Sequence, residues 1–352
     1  MVNLTNIRFT KEEMNLLNHG LQHSIEKPLK TYWTNLIAET ERAMKLLDTE
    51  LQNSYRSMAA IKLKLIYNSD NHHNTTQKRQ MYILRNINHK LVTESAIIVR
   101  ADKGKALVII NSNEYSKKVH TFLTDNNFHS LQKNSTDKYQ KLIQKTLQQC
   151  NLVIDKKQIK YLIQKKPLPP TMKAQLKLHK PKSPIRPVIN NMNAPSYIIA
   201  KHLINILNKH LTLNNHYNVK NSTNLATDLT KLKLNENHKV ITYDIKDLYV
   251  NIPIEETLTV TKSMLLKKND AQTTLQIITL LDLILAQNYF SFQNKIYQPN
   301  KGVSMGSPIS IVVAKIFLQH LEDAHIKQLL DTKNIIFCTR YIDDILIIHD
   351  TK

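Results

Sequence analysis

Apolar residues recur at helical spacing in the first part of the chain. Thr10-Lys11-Glu12-Glu13 fits a capping box, with Thr at the N-cap and Glu at the third helical position. The polar stretch 68–80, rich in Asn and His, predicts a loop. A longer amphipathic helix is predicted by the apolar positions Trp33, Leu36, Ile37, Met44, Leu47 and Leu51. We therefore predict a helical N-terminal region over residues 1–94, whose apolar face packs and carries no chemistry.

From Ser95 the apolar pattern changes to short strand-like runs. Ala96–Val99 and Ala106–Ile110 flank a segment that contains Asp102-Lys103-Gly104, which predicts a hairpin with a basic tip. Two helical stretches follow, at about 138–149 and 156–164, and end at a proline-marked boundary, 166–170. These features define a second region, residues 95–166.

The third region, residues 167–352, contains three further strand signals. A second hairpin is predicted over 175–190, again with cations around its turn. The run 239–244 reads as a buried strand that ends on Asp244, and the apolar hairpin 335–348 has Asp343 and Asp344 at its tip. Acids therefore end two separate strand signals.

The charge balance points to a polyanionic partner. Forty-nine Lys and Arg against 28 Asp and Glu give a net charge of +21, as expected of a protein that binds nucleic acid. Ribosomal, membrane-surface and histone-like proteins share this imbalance.

No stretch approaches the ~20 apolar residues of a membrane span, and the N-terminus lacks a signal or transit pattern. We expect an intracellular protein with no membrane partner. Cys150 and Cys338 lack zinc-site spacing.

The adjacent carboxylates of Asp343 and Asp344 need a counter-charge. An acid pair in a turn is often only good turn chemistry, but between strands this apolar the two charges repel unless a cation is present. Mg²⁺ prefers hard oxygen ligands, so Asp244 with Asp343 can hold two ions ~3.5–4 Å apart. Such a site serves in-line phosphoryl transfer, and the predicted reaction class is nucleotidyl transfer.

Two of the four glycines lie between the acids, in Lys301-Gly302-Val303-Ser304-Met305-Gly306-Ser307-Pro308. A glycine retained in so glycine-poor a chain indicates positive φ or a close approach. Ser307 at the N-cap and Pro308 in the first turn predict the start of the next helix.

These motifs resemble those of reverse transcriptases, most closely those of Penelope-like elements, which are similar to telomerase reverse transcriptase. Five motifs follow the family order: Arg100–Ile110 (RADKGKALVII), Leu178–Ile189 (LHKPKSPIRPVI), Asp244–Pro253 (DIKDLYVNIP), Gly302–Ser310 (GVSMGSPIS) and Arg340–Asp344 (RYIDD). The resemblance implies an α+β fold with a right-hand polymerase palm and fingers, and an RNA-directed DNA polymerase acting in the nucleus.

The resemblance also implies roles for individual residues. Asp244 and Asp343 would bind two Mg²⁺ ions, or Mn²⁺ in their place, with the Ile245 carbonyl as a further ligand and Asp344 beside them as a third catalytic acid. The implied nucleotide site contains Arg186 and Lys180 on the triphosphate, Tyr249 beneath the sugar, Lys103 on template or nucleotide, and Asp247 and Gly302. The implied partners are an RNA template, a DNA primer and deoxynucleoside triphosphates; the oligomeric state is left open.

The chain departs from the family pattern in two places. Lys301 stands where many retroviral-type enzymes have Gln before the first glycine. The sequence stops at Lys352, just past the acidic hairpin, so a thumb is expected to be absent and primer–template binding to be weak. Two alternatives stay open: a catalytically inactive nucleic-acid-binding fragment of such an element, and an RNA-directed RNA polymerase, which usually carries Gly-Asp-Asp.

Overall fold

A computed structural model describes residues 1–23, 33–213, 217–326, 328, 330 and 334–351. Helices and strands both contribute to the fold, so the predicted α+β class is confirmed. The chain forms two compact units, Met1–Val119 with Ala174–Arg186 and His120–Lys173 with Pro187–Lys352. The predicted division into regions 1–94, 95–166 and 167–352 stays a prediction.

The described residues of the first unit form a small sheet and three helices of their own. Its elements are β1 Val2–Asn3, α1 Lys11–Asn18, α2 Trp33–Met44, α3 Thr49–Thr93, β2 Ala96–Arg100 and β3 Leu107–Asn111. The sheet order is β1-β3-β2, with β1 parallel to β3 and β2 antiparallel to it. The predicted hairpin around Asp102-Lys103-Gly104 is therefore confirmed. Ile109 of β3 packs with Ile87 and Leu91 of α3 and with Leu17 of α1 in a buried core.

The helical predictions for this unit were right in one place and wrong in two. Thr10 and Glu13 form the predicted capping box. The predicted loop at 68–80 lies within α3; the stretch contains neither Gly nor Pro, so nothing in it breaks the helix. The predicted single helix is divided between α2 and α3. Of its apolar positions Met44 is buried, whereas the others whose side chains are described are exposed: Leu36, Ile37, Leu47 and Leu51. The side chain of Trp33 lies outside the described ones.

Three elements carry the chain between the units: α4 Ser112–Asp125, β5 Thr171–Leu176 and β6 Ile185–Asn190. The last two are the strands of the predicted second hairpin, whose turn is closed by a hydrogen bond from the Lys177 amide to the Pro184 carbonyl oxygen at 2.8 Å. This second hairpin is confirmed as well.

The second unit holds two sheets and most of the helices. Its remaining elements are β4 Phe128–Leu131, α5 Thr136–Gln149, α6 Ile159–Leu162, α7 Tyr197–His210, α8 Ser222–Thr230, β7 His238–Asp244, α9 Leu248–Asn251, α10 Ile254–Leu266, α11 Ala271–Ala286, β8 Phe290–Phe292, β9 Lys295–Pro299, α12 Ser310–Leu321, a π-helical turn Glu322–Ile326, β10 Ile335–Tyr341 and β11 Asp344–Asp350. One sheet has the strand order β4-β9-β8-β5-β6 and the other β10-β11-β7.

The core of this unit lies among its helices. Leu203 of α7, Leu281 of α11 and Val313 of α12 are fully buried in it. Cys150 is also buried there, and burial raises the pKa of its thiol to about 11. Within the described residues, no helix has both the length and the apolar character needed to cross a membrane.

Candidate active site

Three acidic residues lie at one end of the sheet formed by β7, β11 and β10. Asp244 ends β7 and is the direct cross-strand partner of Asp344, the first residue of β11. The Ile245 amide donates a hydrogen bond to the Asp343 carbonyl oxygen at 2.9 Å, so Asp343 lies beside the exit from β7. Cα atoms of directly opposed antiparallel residues are ~4.5–5.5 Å apart. The structure therefore brings together the three predicted catalytic acids.

The strand that carries Asp244 differs from its prediction. β7 pairs with β11 and is last in the strand order of its sheet, so it is an edge strand. Val240 is 59% exposed and Tyr243 is 56% exposed. The predicted burial of this strand was wrong, because apolar content alone does not distinguish a central strand from an edge strand.

The donor chemistry of the site fits a hard divalent cation. Throughout the described part of the chain, no Lys, Arg or His nitrogen lies within 4.0 Å of the carboxylates of Asp244, Asp343 or Asp344. The same residues include no metal-binding group of three or more His, Cys, Asp or Glu. Magnesium usually takes one or two carboxylates and fills its other positions with water and substrate phosphates. The acids fit that kind of site and not an all-protein cage.

A wide cleft opens beside the acids. It has a volume of about 800 Å³, and Asp244, Asp344 and Tyr341 line it together with Thr242 and Asn221. Asp244 and Asp344 are each exposed. Their carboxylates are therefore accessible to a solute as large as a nucleotide.

The turn between β10 and β11 has an unusual backbone. Because Tyr341 pairs with Asp344, Ile342 and Asp343 form a two-residue hairpin loop. Ile342 has φ +56°, a left-handed conformation that is a genuine outlier for a β-branched residue. Such a conformation costs ~1–3 kcal/mol and persists only where the surroundings hold it. The loop that carries Asp343 is thus strained.

The side chain of Arg340 holds this loop in its conformation. Its Nη1 donates a hydrogen bond to the Ile342 carbonyl oxygen at 3.0 Å. Its Nη2 donates to Glu322 Oε2 at 3.2 Å, and its Nε also bonds the Glu322 carboxylate. Arg340 is 4% exposed and Glu322 is 7% exposed. A buried ion pair therefore anchors the turn.

The segment that leaves β7 brings Tyr249 to the acids. Asp247 has φ +52° and directs the chain into α9, which contains Tyr249. Burial raises the pKa of the half-buried Tyr249 phenol, and the negative charge of Asp343 raises it further. The phenol is therefore neutral at pH 7 and lies within electrostatic reach of a predicted metal ligand.

Gly302 packs against this same segment. A Cβ on Gly302 would lie 2.5 Å from backbone atoms of Val250, and the residue has φ +79°. The Gly302 amide donates to the Ile252 carbonyl oxygen at 3.2 Å, and the Val303 amide donates to the Tyr249 carbonyl oxygen at 2.7 Å. The glycine therefore lets the two motifs bond backbone to backbone.

Gly306 approaches β6 even more closely. With φ +121°, it would place a Cβ 2.1 Å from the Ile189 carbonyl oxygen. The Ile189 amide donates to the Met305 carbonyl oxygen at 2.8 Å. The close approach expected of the glycines is confirmed.

The predicted helix start was wrong. Helix α12 begins at Ser310, and the predicted N-cap, Ser307, lies in the preceding turn, where its carbonyl oxygen accepts a hydrogen bond from the Ser310 amide at 3.2 Å.

The remaining predicted site residues lie in the first unit. Lys103 and Lys180 are exposed, on the tips of the two hairpins. Arg186 forms an ion pair with Asp102, with Nη1 and Oδ1 2.9 Å apart. The Asp102 side chain is only 1% exposed, whereas that of Arg186 is 45% exposed.

Sequence reasoning missed Glu322 and gave no role to Asp102. The signal for Glu322 was indirect: Arg340 stands in an otherwise apolar strand, and a buried guanidinium needs a partner. The signal for Asp102 was its place in the Asp-Lys-Gly motif.

The acids at the strand ends supply carboxylate oxygens of the kind that a metal-dependent polymerase uses to bind its ions. The glycine-rich segment is bonded to the part of the chain that follows the first of these strands. Residues 178–352 match the family model described as reverse transcriptase (RNA-dependent DNA polymerase). This part of the chain is therefore a reverse transcriptase domain. No curated protein matches the chain.

Two telomerases are among the solved structures to which this chain is similar. Telomerase from Candida albicans, in complex with a TWJ fragment of telomeric RNA, is 12% identical with a TM-score of 0.49, covering 86% of this chain and 50% of its own. Apo telomerase from Candida tropicalis, truncated from its C-terminal domain, is 11% identical with a TM-score of 0.48, covering 81% of this chain and 59% of its own. The match thus covers half of the first telomerase chain and 59% of the second.

Proposed function

We propose that this chain is the RNA-directed DNA polymerase core of a Penelope-like retroelement and acts by two-metal nucleotidyl transfer. The observation that carries the proposal is the meeting of Asp244, Asp343 and Asp344 at one sheet end, without a cationic partner among the described residues. The reverse transcriptase domain over 178–352 supports the same chemistry.

Asp244 and Asp343, with the Ile245 carbonyl, are the residues that would hold the metal ions, with Asp344 beside them. Mg²⁺ bound by these residues would supply the positive charge that lowers the pKa of the attacking 3′-hydroxyl and stabilises the pyrophosphate leaving group. Mn²⁺ takes the same oxygen ligands. Arg340 holds the backbone of the strained loop that carries Asp343.

The substrates follow from the residues near the acids and from the charge of the chain. Tyr249 lies near Asp343, where its ring would exclude a 2′-hydroxyl and select deoxynucleotides. Asp247 and Gly302 shape the same segment. We assign Arg186 and Lys180 to the triphosphate and Lys103 to template or nucleotide. A net charge of +21 suits an RNA template and a DNA primer.

The Penelope-like assignment is supported by the order of five motifs, from the Asp-Lys-Gly segment to Arg340–Asp344. The segment that resembles the upstream Asp-Lys-Gly motif of Penelope-like proteins forms a hairpin of β2 and β3. Action in the nucleus belongs to the same proposal.

Single-nucleotide addition tests the proposal. The chain is mixed in excess with an RNA template, a labelled DNA primer, Mg²⁺ and one deoxynucleotide, so that chemistry is measured without processive movement. Asp244→Ala and Asp343→Ala should each slow addition by several orders of magnitude, because a metal ligand is lost. Asp228→Ala removes an exposed acid of α8 and serves as the matched control, with addition unchanged.

Addition near the wild-type rate by either active-site variant would overturn the proposal. Tight, salt-sensitive binding of primer–template without addition by the wild-type chain would favour the inactive nucleic-acid-binding alternative. Preferential use of ribonucleotides would favour an RNA-directed RNA polymerase.

A further inference from the structure

Asp102 of the Asp-Lys-Gly motif is a buried acid with an incomplete set of partners. Its side chain is 1% exposed, and Arg186 Nη1 lies 2.9 Å from Oδ1. This contact is an ion pair outside hydrogen-bond geometry, and both carboxylate oxygens lack a hydrogen-bond donor among the described residues. A carboxylate removed from water with so few donors is costly to keep. Stability alone is therefore a poor reason for an acid at this position.

Backbone contacts fix Asp102 beside the second hairpin. The Asp102 amide donates to the Leu176 carbonyl oxygen at 2.9 Å, and Ala101 forms a parallel bridge with Leu176, at the end of β5. The loop then turns back at Gly104 and Lys105, both with positive φ. The Asp-Lys-Gly loop is thus attached to the hairpin whose other strand, β6, carries Arg186.

The ion pair restrains Arg186 without covering it. One nitrogen, Nη1, contacts Asp102, while the side chain stays 45% exposed. A guanidinium has five N–H donors in a planar fork that matches phosphate oxygens. A side chain already held in one orientation loses less conformational freedom when it binds a ligand. Arg186 is therefore held in position with donors still available to an anion.

We propose that Asp102 is a positioning residue that orients Arg186 to bind the triphosphate of an incoming nucleotide. This inference rests on the proposed function for the role of Arg186, and it gives the Asp-Lys-Gly motif a part in substrate binding. Asp102 acts only through Arg186 and does not touch the nucleotide.

Equilibrium binding of a fluorescent deoxyadenosine triphosphate to the full chain, in Mg²⁺ and without primer, tests this role. Asp102→Asn keeps the shape of the side chain and removes its charge, and we expect it to weaken binding about fivefold to tenfold. Arg186→Ala should weaken binding at least as much. The double variant should bind no more weakly than Arg186→Ala, because Asp102 has no effect once its partner is gone.

Glu13→Gln is the matched control. It removes the charge from another buried acid of the same unit, whose partner is Lys90 at 2.6 Å. It should lower the thermal stability of the chain and leave nucleotide affinity unchanged. If Asp102→Asn fails to fold, Asp102→Glu is measured instead, since it keeps the charge but displaces it by one methylene.

Unchanged affinity in a folded Asp102 variant would overturn the inference, because the ion pair would then be only structural. Tighter binding would also overturn it, since Asp102 would then mask Arg186. A wild-type chain that binds no triphosphate overturns it as well. A wild-type chain that binds triphosphate but adds no nucleotide contradicts the proposed function alone.

Discussion

Replacing Glu322 by alanine leaves Arg340 buried without its carboxylate. Arg340 is 4% exposed, and its guanidinium contacts both oxygens of Glu322 as well as the Ile342 carbonyl oxygen. Removing one partner of a buried ion pair strands the other charge away from water. The same guanidinium holds the strained loop that carries Asp343, so both stability and activity should respond.

The expected loss of stability is ~3–5 kcal/mol, the usual cost of breaking a buried pair. For a domain of about 150–250 residues, each 1 kcal/mol shifts the melting temperature by ~2–4 °C, so the shift should be ~6–20 °C. Glu41→Ala provides the comparison. Glu41 pairs with Arg56, but the two side chains are 45% and 39% exposed, so solvent screens this pair and its loss should lower stability far less.

Thermal melting and urea unfolding of Glu322→Ala, Glu41→Ala and the wild-type chain measure these losses, with single-nucleotide addition assayed on each. Glu322→Gln keeps hydrogen-bonding atoms near Arg340, so its stability should lie between those of the wild-type chain and Glu322→Ala. A Glu322→Ala variant as stable as Glu41→Ala would refute this prediction, because the buried ion pair would then contribute no more to stability than the exposed one. Full addition activity in a destabilised Glu322→Ala would show that the loop does not depend on the ion pair between Arg340 and Glu322.

Three further predictions follow from single residues. Gly306→Ala places a Cβ 2.1 Å from the Ile189 carbonyl oxygen, whereas a Cβ in Gly104→Ala meets no atom within 4 Å. Positive φ alone costs ~1–2 kcal/mol in Gly104→Ala, so urea unfolding should show a larger loss of stability for Gly306→Ala. Equal losses in the two variants would contradict the close approach. Tyr249→Val should raise ribonucleotide use relative to deoxynucleotide use several-fold on one template, about 1 kcal/mol; an unchanged ratio would remove Tyr249 from the nucleotide site. Burial raises the pKa of Tyr289 to about 12, above its ordinary value of 10.0. As pH rises, the unfolded chain therefore releases the phenol proton before the folded chain does, and the stability of the fold decreases between pH 10.0 and about 12. Tyr289→Phe should lessen that loss, measured by urea unfolding across this range, by up to about 3 kcal/mol; an equal loss in both proteins would refute this.

Local patterns predicted the parts of the fold that depend on neighbours in sequence. Both hairpins, the capping box at Thr10 and the placement of acids at strand ends were confirmed, because alternation, turn residues and caps act within a few positions. The conformational demands of Gly302 and Gly306 were also visible, since so few glycines are present.

Features set by tertiary packing were not predictable in this way. Arg340 and Glu322 are 18 residues apart in the chain and meet only once the π-helical turn after α12 has packed. Burial of β7 was wrongly predicted because its place in the sheet depends on which strands flank it. The ion pair between Asp102 and Arg186 likewise arises from two hairpins that are separate in sequence.

Template-directed addition of single nucleotides tests directly whether this chain is an RNA-directed DNA polymerase. Four RNA templates that differ only in the base opposite the next position are each annealed to one DNA primer and given the chain, Mg²⁺ and single deoxynucleotides. We expect addition of the complementary deoxynucleotide on each template, with loss of addition in Asp343→Ala and on removal of Mg²⁺ by EDTA. Addition that ignores the template base, or that survives in Asp343→Ala, would contradict this expectation.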